Sequence, residues 1–186
     1  INALLPEALD LSLNSRTQTV TVNSMTNTTE VRGIDAQEFP PMPVADQSEG
    51  LAFKAKDFKK IIGQVVFAAS TDDARPVLQG VLFDISGNEL TLAATDGFRV
   101  SVRKALLEKE TAAPVKVIIP GRALVELSRI IPDSDETLIM SMPAGRGQVV
   151  FRLPNVEVVS QLIDGNFPDY KSILPRTSKT KTVIST

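Results

Sequence analysis

The chain has 186 residues, 42% of them hydrophobic and 23% charged, which is enough apolar material for at least one sizeable core. Its 20 basic and 22 acidic residues leave a net charge of −2, which argues against indiscriminate nucleic-acid binding, so any polyanion site is local. Cysteine and histidine are both absent, which removes thiolate nucleophiles, zinc-type sites, Ser/His/Asp relays and the commonest general base.

No run approaches the roughly 18 apolar residues that span a bilayer, and Ile1 opens no basic-plus-apolar signal segment, so a cytoplasmic setting is expected. An oxygen-ligand Mg²⁺ or Ca²⁺ site finds no EF-hand spacing or carboxylate cluster to support it. Gly145-Arg146-Gly147 lacks the third glycine of a phosphate-binding loop and reads as a hairpin turn. No metal and no cofactor is expected.

Along the chain, Ile1–Pro43 offers a Leu/Ile-rich end, Pro6, an alternating strand, a polar turn at Arg16, a second strand from near Gln18 and a third strand. It closes on Asp35 and Phe39-Pro40. The same order recurs over Leu127–Pro175, with Pro132, a turn at Arg146, a strand from near Gln148, then Asp164 and Phe167-Pro168. Matched landmarks such as Phe39 and Phe167 lie about 128 residues apart, a period too long for a solenoid and suited to duplicated domains. Ile1–Pro43 then reads as the back half of one domain. Met42–Gly50 and Pro175–Lys181 are polar and aperiodic and read as linkers, and Thr182–Thr186 reads as the first strand of a further unit.

Between the linkers, Lys54–Ser70 spaces Phe58, Ile61, Ile62, Val65 and Ala69 for the inner face of an amphipathic helix, which Gly63 and the valines weaken. Val77–Ile85 and Leu90–Ala94 alternate around Ser86-Gly87-Asn88, a hairpin signal. Phe98–Val102 and Val115–Ile119 continue the sheet. A second amphipathic helix over 120–131 turns Leu124, Leu127 and Ile131 inward and stops at Pro132. Four or more strands are expected between Thr137 and Leu162. Two helices on one face of antiparallel sheet, with about eight strands, make an α+β domain.

The outer faces of the two helices carry Lys56, Lys59, Lys60, Arg122 and Arg129. They are either ordinary solvated helix surface or a sparse basic surface for phosphates, without aromatics to stack bases. The stretch Thr95-Asp96-Gly97-Phe98-Arg99 crowds an acid, a hydroxyl and an arginine around a glycine. Without histidine, cysteine or a metal constellation, Asp96-Gly97 reads as a bend, with Gly97 as bare backbone that something can approach. Two other readings stay open: a divalent-metal hydrolase using Asp72, Asp73 or Asp96, and a β-rich interaction module unconnected to DNA.

Four separated motifs carry a family resemblance. Arg75-Pro76-Val77-Leu78-Gln79-Gly80-Val81-Leu82-Phe83, Ala94-Thr95-Asp96-Gly97-Phe98-Arg99-Val100, Ile119-Pro120-Gly121-Arg122 and Asp164-Gly165-Asn166-Phe167-Pro168-Asp169-Tyr170 resemble, in order and spacing, the middle domain of bacterial sliding clamps, the beta subunits of DNA polymerase III. The resemblance implies the clamp fold: an α+β fold of three similar domains, each with two helices packed on antiparallel sheets. The chain would then hold the back half of a first domain over residues 1–46, a whole middle domain over 47–176 and the start of a third over 177–186.

It also implies a non-enzymatic processivity factor. A head-to-tail homodimer would form a ring whose helices face duplex DNA in a sequence-independent way. Arg122 and Arg129 are the foremost candidates to face that hole, with Lys56, Lys59 and Lys60 beside them and Arg75 also near DNA. The implied partners, the DNA polymerase III catalytic subunit, the clamp loader and other proteins bearing a clamp-binding motif, insert short, mostly apolar peptides into a pocket. Its middle-domain wall maps here onto Leu78, Thr95, Gly97, Phe98, Arg99, Val100, Pro168, Ser172 and Ile173. Phe98 stands where the family often has histidine and Ser172 where arginine is common, so a greasier and less cationic rim is expected.

Overall fold

The computed structural model describes residues 8–39, 50–143, 145, 147–175, 177, 179–180 and 182–183. The chain divides into two compact units, Ile1–Met42 and Pro43–Thr186. The expected linker at 42–50 lies outside the described residues except for Gly50, as does most of the strand expected at 182–186.

The first unit is an antiparallel meander of β1 (Asp10–Asn14), β2 (Thr19–Asn23) and β3 (Thr28–Arg32), in the order β1-β2-β3. Pairing of Leu11 with Val22 and of Leu13 with Val20 and on to Val31 gathers the apolar side chains on one face. The polar turn falls at Arg16: Asn14 Oδ1 accepts from the Arg16 and Thr17 amides, and Gln18 adopts φ 51°.

The second unit has two four-stranded antiparallel sheets. One is ordered β11-β10-β9-β4 and the other β7-β6-β5-β8. Their strands are β4 (Leu51–Lys54), β5 (Gly80–Ser86), β6 (Glu89–Thr95), β7 (Val100–Leu106), β8 (Val115–Pro120), β9 (Thr137–Ser141), β10 (Gln148–Leu153) and β11 (Val156–Gln161). Helices α1 (Ala55–Gly63) and α2 (Gly121–Ile130) pack against each other and against the sheets. The meander β9-β10-β11 repeats the β1-β2-β3 pattern of the first unit.

Phe58 of α1 binds the halves together. Its ring centroid lies 6.3 Å from that of Phe83 in β5 and 5.8 Å from that of Phe151 in β10, so one helical side chain touches both sheets. Ile62, Leu124 and Leu127 fill the space around it, all essentially solvent-free. The first amides of α1 have no side-chain cap. Instead, Ala55 N donates to Glu136 O at 2.8 Å and Lys56 N to Ser134 O at 3.1 Å, which ties the helix start to the loop after α2.

The elements depart from expectation in five places. The first helix ends at Gly63, and the chain continues through a 3₁₀ turn at Val66–Ala68 that buries Val65 and Ala68 and leaves Ala69 half-buried. The strand expected from Val77 begins at Gly80, because Pro76 opens a second 3₁₀ turn over Pro76–Gln79. The strand expected from Phe98 begins at Val100, since Phe98 and Arg99 give their amides to Asp96. Among the described residues three strands, not four or more, lie between Thr137 and Leu162, and Leu51–Lys54 supplies a strand the pattern did not reveal.

The β7-β6-β5-β8 sheet has a second, smaller apolar face. Val102, Ala93, Leu82 and Ile118 align across its four strands. Phe167 and Tyr170 pack on this row, with Val77, Val100 and Ile163 at its margin. These aromatics come from a strap that follows β11, starts with Ile163 N donating to Ile118 O at 2.9 Å and ends in the short helix α3 (Tyr170–Ile173), which Asp169 caps. Bare backbone lets the strap lie close: a Cβ on Gly80 would stand 2.3 Å from Ile118 Cγ2 and 2.9 Å from Ile163 Cδ1. Gly165 is at φ 132°, where a Cβ would meet Val77 Cγ2 at 2.7 Å.

Two glycine substitutions are expected to act in opposite directions. Gly80→Ala forces Ile118 and Ile163 to move and is expected to cost about 1–3 kcal/mol by overpacking. Gly63→Ala has open space around it in a helical turn and is expected to be neutral or to stabilise by up to about 1 kcal/mol. Urea denaturation midpoints of the two variants check both signs.

Candidate functional site

The loop 95–99 is closed by its own side chains. Thr95 is buried, and its Oγ1 donates to Arg99 O at 2.8 Å while accepting from Gly97 N at 3.1 Å. Asp96 Oδ1 accepts from the amides of Phe98 and Arg99 at 2.9 and 3.0 Å, and Oδ2 accepts from Arg99 Nε at 2.9 Å. Gly97 supplies φ 95°, which an L side chain resists. The two amide hydrogen bonds, aided by the Arg99 charge, hold the Asp96 carboxyl below its ordinary pKa of 3.8.

Arg75 braces the loop from outside, with Nη2 donating to Asp96 O at 3.3 Å and Nη1 close to the open side of Gly97. Arg99 lies over the ring of Phe67 with its guanidinium carbon 5.8 Å from the centroid. Phe98 projects into solvent, 96% exposed. This geometry gives the three aspartates of the hydrolase reading structural work. Asp72 caps the Ala74 amide and pairs with Arg75, Asp73 accepts from Gln79 Nε2 at 2.7 Å, and Asp96 closes its own loop.

The sequence-predicted wall residues fall around the smaller apolar face. Thr95 and Val100 sit at its edge on the paired ends of β6 and β7, Leu78 is buried in the 3₁₀ turn beside Val77, and Pro168, Ser172 and Ile173 are exposed on the strap. Gly97, Phe98 and Arg99 form an exposed rim. Ser172 Oγ donates to Asp169 O at 2.7 Å. A groove of about 270 Å³ opens between Leu82, Ile118 and the first part of the strap, Ile163 to Phe167, and none of the nine predicted wall residues lines it. The sequence missed Phe67, read as part of a helix, and Tyr170, whose burial Asp169 signals through the cap it gives α3.

The three predicted lysines, Arg122 and Arg129 lie on the helix pair. Lys59 Nζ donates to Ile131 O at 2.9 Å, a cation on the carbonyl end of α2. Lys56 pairs with Asp135 at 2.9 Å, which raises the lysine pKa and lowers that of the aspartate, chiefly through their hydrogen bond. Arg129 pairs with Glu126 at 2.6 Å one turn back. Lys60 and Arg122 are exposed and make no ion pair among the described residues. Arg122 stands beside a cleft of about 670 Å³ between the 3₁₀ turns and the start of α2. Arg75 belongs to the loop and not to the helix pair.

A helix pair against two antiparallel sheets, with a strap over the second face of one of them, defines an α+β domain of the clamp type. The family model for the central domain of the DNA polymerase III beta subunit matches residues 52–169. The beta sliding clamp of Bacillus subtilis is 37% identical over 156 residues, covering 84% of this chain and 41% of the relative. That of Staphylococcus epidermidis is 37% identical over 181 residues, covering 97% and 47%. In structure, the crystallised sliding clamp of Bacillus subtilis superposes with a TM-score of 0.75 at 34% identity, over 94% of this chain and 46% of that one. The beta chain of Streptococcus pneumoniae gives 0.70 at 33% identity, over 91% and 44%. The chain belongs to this family of bacterial beta sliding clamps, the beta subunits of DNA polymerase III, and spans somewhat under half the length of these relatives.

The depressed Asp96 pKa fixes the sign of a pH effect. A carboxyl whose folded pKa is lowered adds stability above its unfolded pKa, and this is lost as pH falls through the folded value. The Phe98 and Arg99 amide resonances are therefore expected to titrate together on the acid side of 3.8. Asp96→Asn should abolish that titration. Amides that titrate alike in both proteins would show that Asp96 does not close the loop.

Proposed function

We propose that this chain is part of a sliding clamp that encircles duplex DNA as a ring and tethers replication proteins to it. The boundaries that fit are a partial first domain over 1–46, a middle domain over 47–176 and the start of a third from 177, with ring closure by a homodimer of the full-length protein. The observation that carries the proposal is the convergence of three separated motifs on one small apolar face: Val77 beside Leu78, Thr95 to Val100, and the strap from Phe167 to Ile173. The strap covers the centre of that face, so what is offered to a short apolar peptide with an aromatic or leucine anchor is its edge, where Val100 is half-buried and Phe98, Arg99 and Ile173 are exposed. The polymerase catalytic subunit and the clamp loader are the partners proposed for this edge.

Encirclement tethers by topology, so the lining needs weak, sequence-blind attraction that lets the ring slide. Exposed Lys60 and Arg122, with Lys56 and Arg129 already sharing their charge with carboxylates, supply a field of that modest strength. A cytoplasmic setting follows from this role.

Retention on DNA tests the topological part: the full-length protein, once loaded, should persist on closed circles and leave linearised DNA. Equal loss from both would remove the clamp reading. Joint reversal of Arg122 and Arg129 to glutamate should lower DNA association and reduce the slope of log affinity against log salt by up to about two phosphate contacts. Unchanged slopes would take these residues out of the lining. For the pocket, Leu78→Ala should weaken binding of a fluorescent peptide carrying leucine and phenylalanine by about 1–3 kcal/mol. Arg99→Ala, at an exposed position, gives a second reading that does not disturb the core.

A further inference from the structure

Phe67 stands out from every other large apolar side chain of its segment. It follows α1 in the 3₁₀ turn whose neighbours Val65 and Ala68 are fully buried, yet it is 57% exposed. Its ring lies against one side chain of known chemistry, the guanidinium of Arg99 at 5.8 Å. The loop backbone does not need this contact, because Thr95 and Asp96 already close it with four hydrogen bonds of their own. What Phe67 adds is a surface from a different element against which the Arg99 head rests, while Asp96 Oδ2 holds Nε.

A guanidinium has five N–H donors in a fixed plane, and stacking on a ring spends none of them. Arg99 commits Nε to Asp96, and its Nη groups make no hydrogen bond to a described residue. We infer that Phe67 is a positioning residue for the peptide rim: it holds the Arg99 guanidinium so that its Nη donors meet a main-chain carbonyl or carboxylate oxygen of a bound apolar peptide. This inference rests on the peptide-site reading proposed above, at the edge formed by Val100, Phe98 and Arg99, and adds to it a residue that acts without touching the peptide.

The test is a double-mutant cycle in the full-length protein, with the fluorescent leucine- and phenylalanine-containing peptide as probe. Phe67→Leu should weaken binding about two- to fivefold, the range of an exposed cation–π contact, and Phe67→Tyr should restore it. In an Arg99→Ala background, Phe67→Leu should cause no further loss, whereas a role in packing alone would add to it. The Arg99 Nε–Hε resonance should shift in Phe67→Leu as the ring current is removed, while the Phe98 and Arg99 amides keep their positions. Binding that depends on Arg99 but is indifferent to Phe67, or losses that simply add, would overturn the inference and leave the peptide-site reading standing. Binding indifferent to Arg99 as well would remove the peptide-site reading, and the inference with it.

Discussion

The second unit depends on one aromatic contact made twice. Phe58 leaves α1 between the sheets and meets Phe83 on one side and Phe151 on the other, with Phe53 of β4 4.6 Å away. A sheet with an apolar face is not stable alone; it must be covered, and here both sheets are covered by the same helix pair. Fixing α1 by Phe58 fixes the helix start, and with it Lys56 and Lys59, whose bonds to Asp135 and Ile131 hold α1 beside the end of α2. The position of every charge on the helix surface follows from that buried ring.

The sheet β7-β6-β5-β8 is buried on one face by this core and on the other by the strap. Its strands alternate strictly. Val81, Phe83 and Ile85 point to the large core while Leu82 points to the small one, and Leu90, Leu92 and Ala94 are set against Ala93 in the same way. A displaced register would exchange the two faces, so the same pairing that buries Phe83 also presents Leu82 to the strap.

The parts of this fold that were legible in sequence are those where one local signal decides the outcome. Helix α2 lies between two prolines with Leu124 and Leu127 on one side, and the β5–β6 hairpin turns at Gly87-Asn88 as its pattern requires. Illegible were the places where signals compete. Pro76-Val77-Leu78 is apolar enough to read as strand, but Arg75 and Ser70 take the backbone bonds of Leu78 and make it a turn. Phe67 carries helical spacing from α1 and leaves the helix because Gly63 ends it two residues before the valines. The family motifs located the rim and strap, yet the Arg75–Asp96 and Phe67–Arg99 contacts join residues 21 and 32 positions apart, and no local pattern encodes them.

The loop 95–99 draws its shape from Thr95, Asp96 and Gly97, and the side chain at its tip takes no part. Phe98 gives only its amide to the loop and leaves its ring in water. Loop shape and tip chemistry are thereby separable: the tip side chain can be exchanged, aromatic for imidazole or for something smaller, without any residue of the core registering the change. The surface of this loop can drift while its architecture stays still.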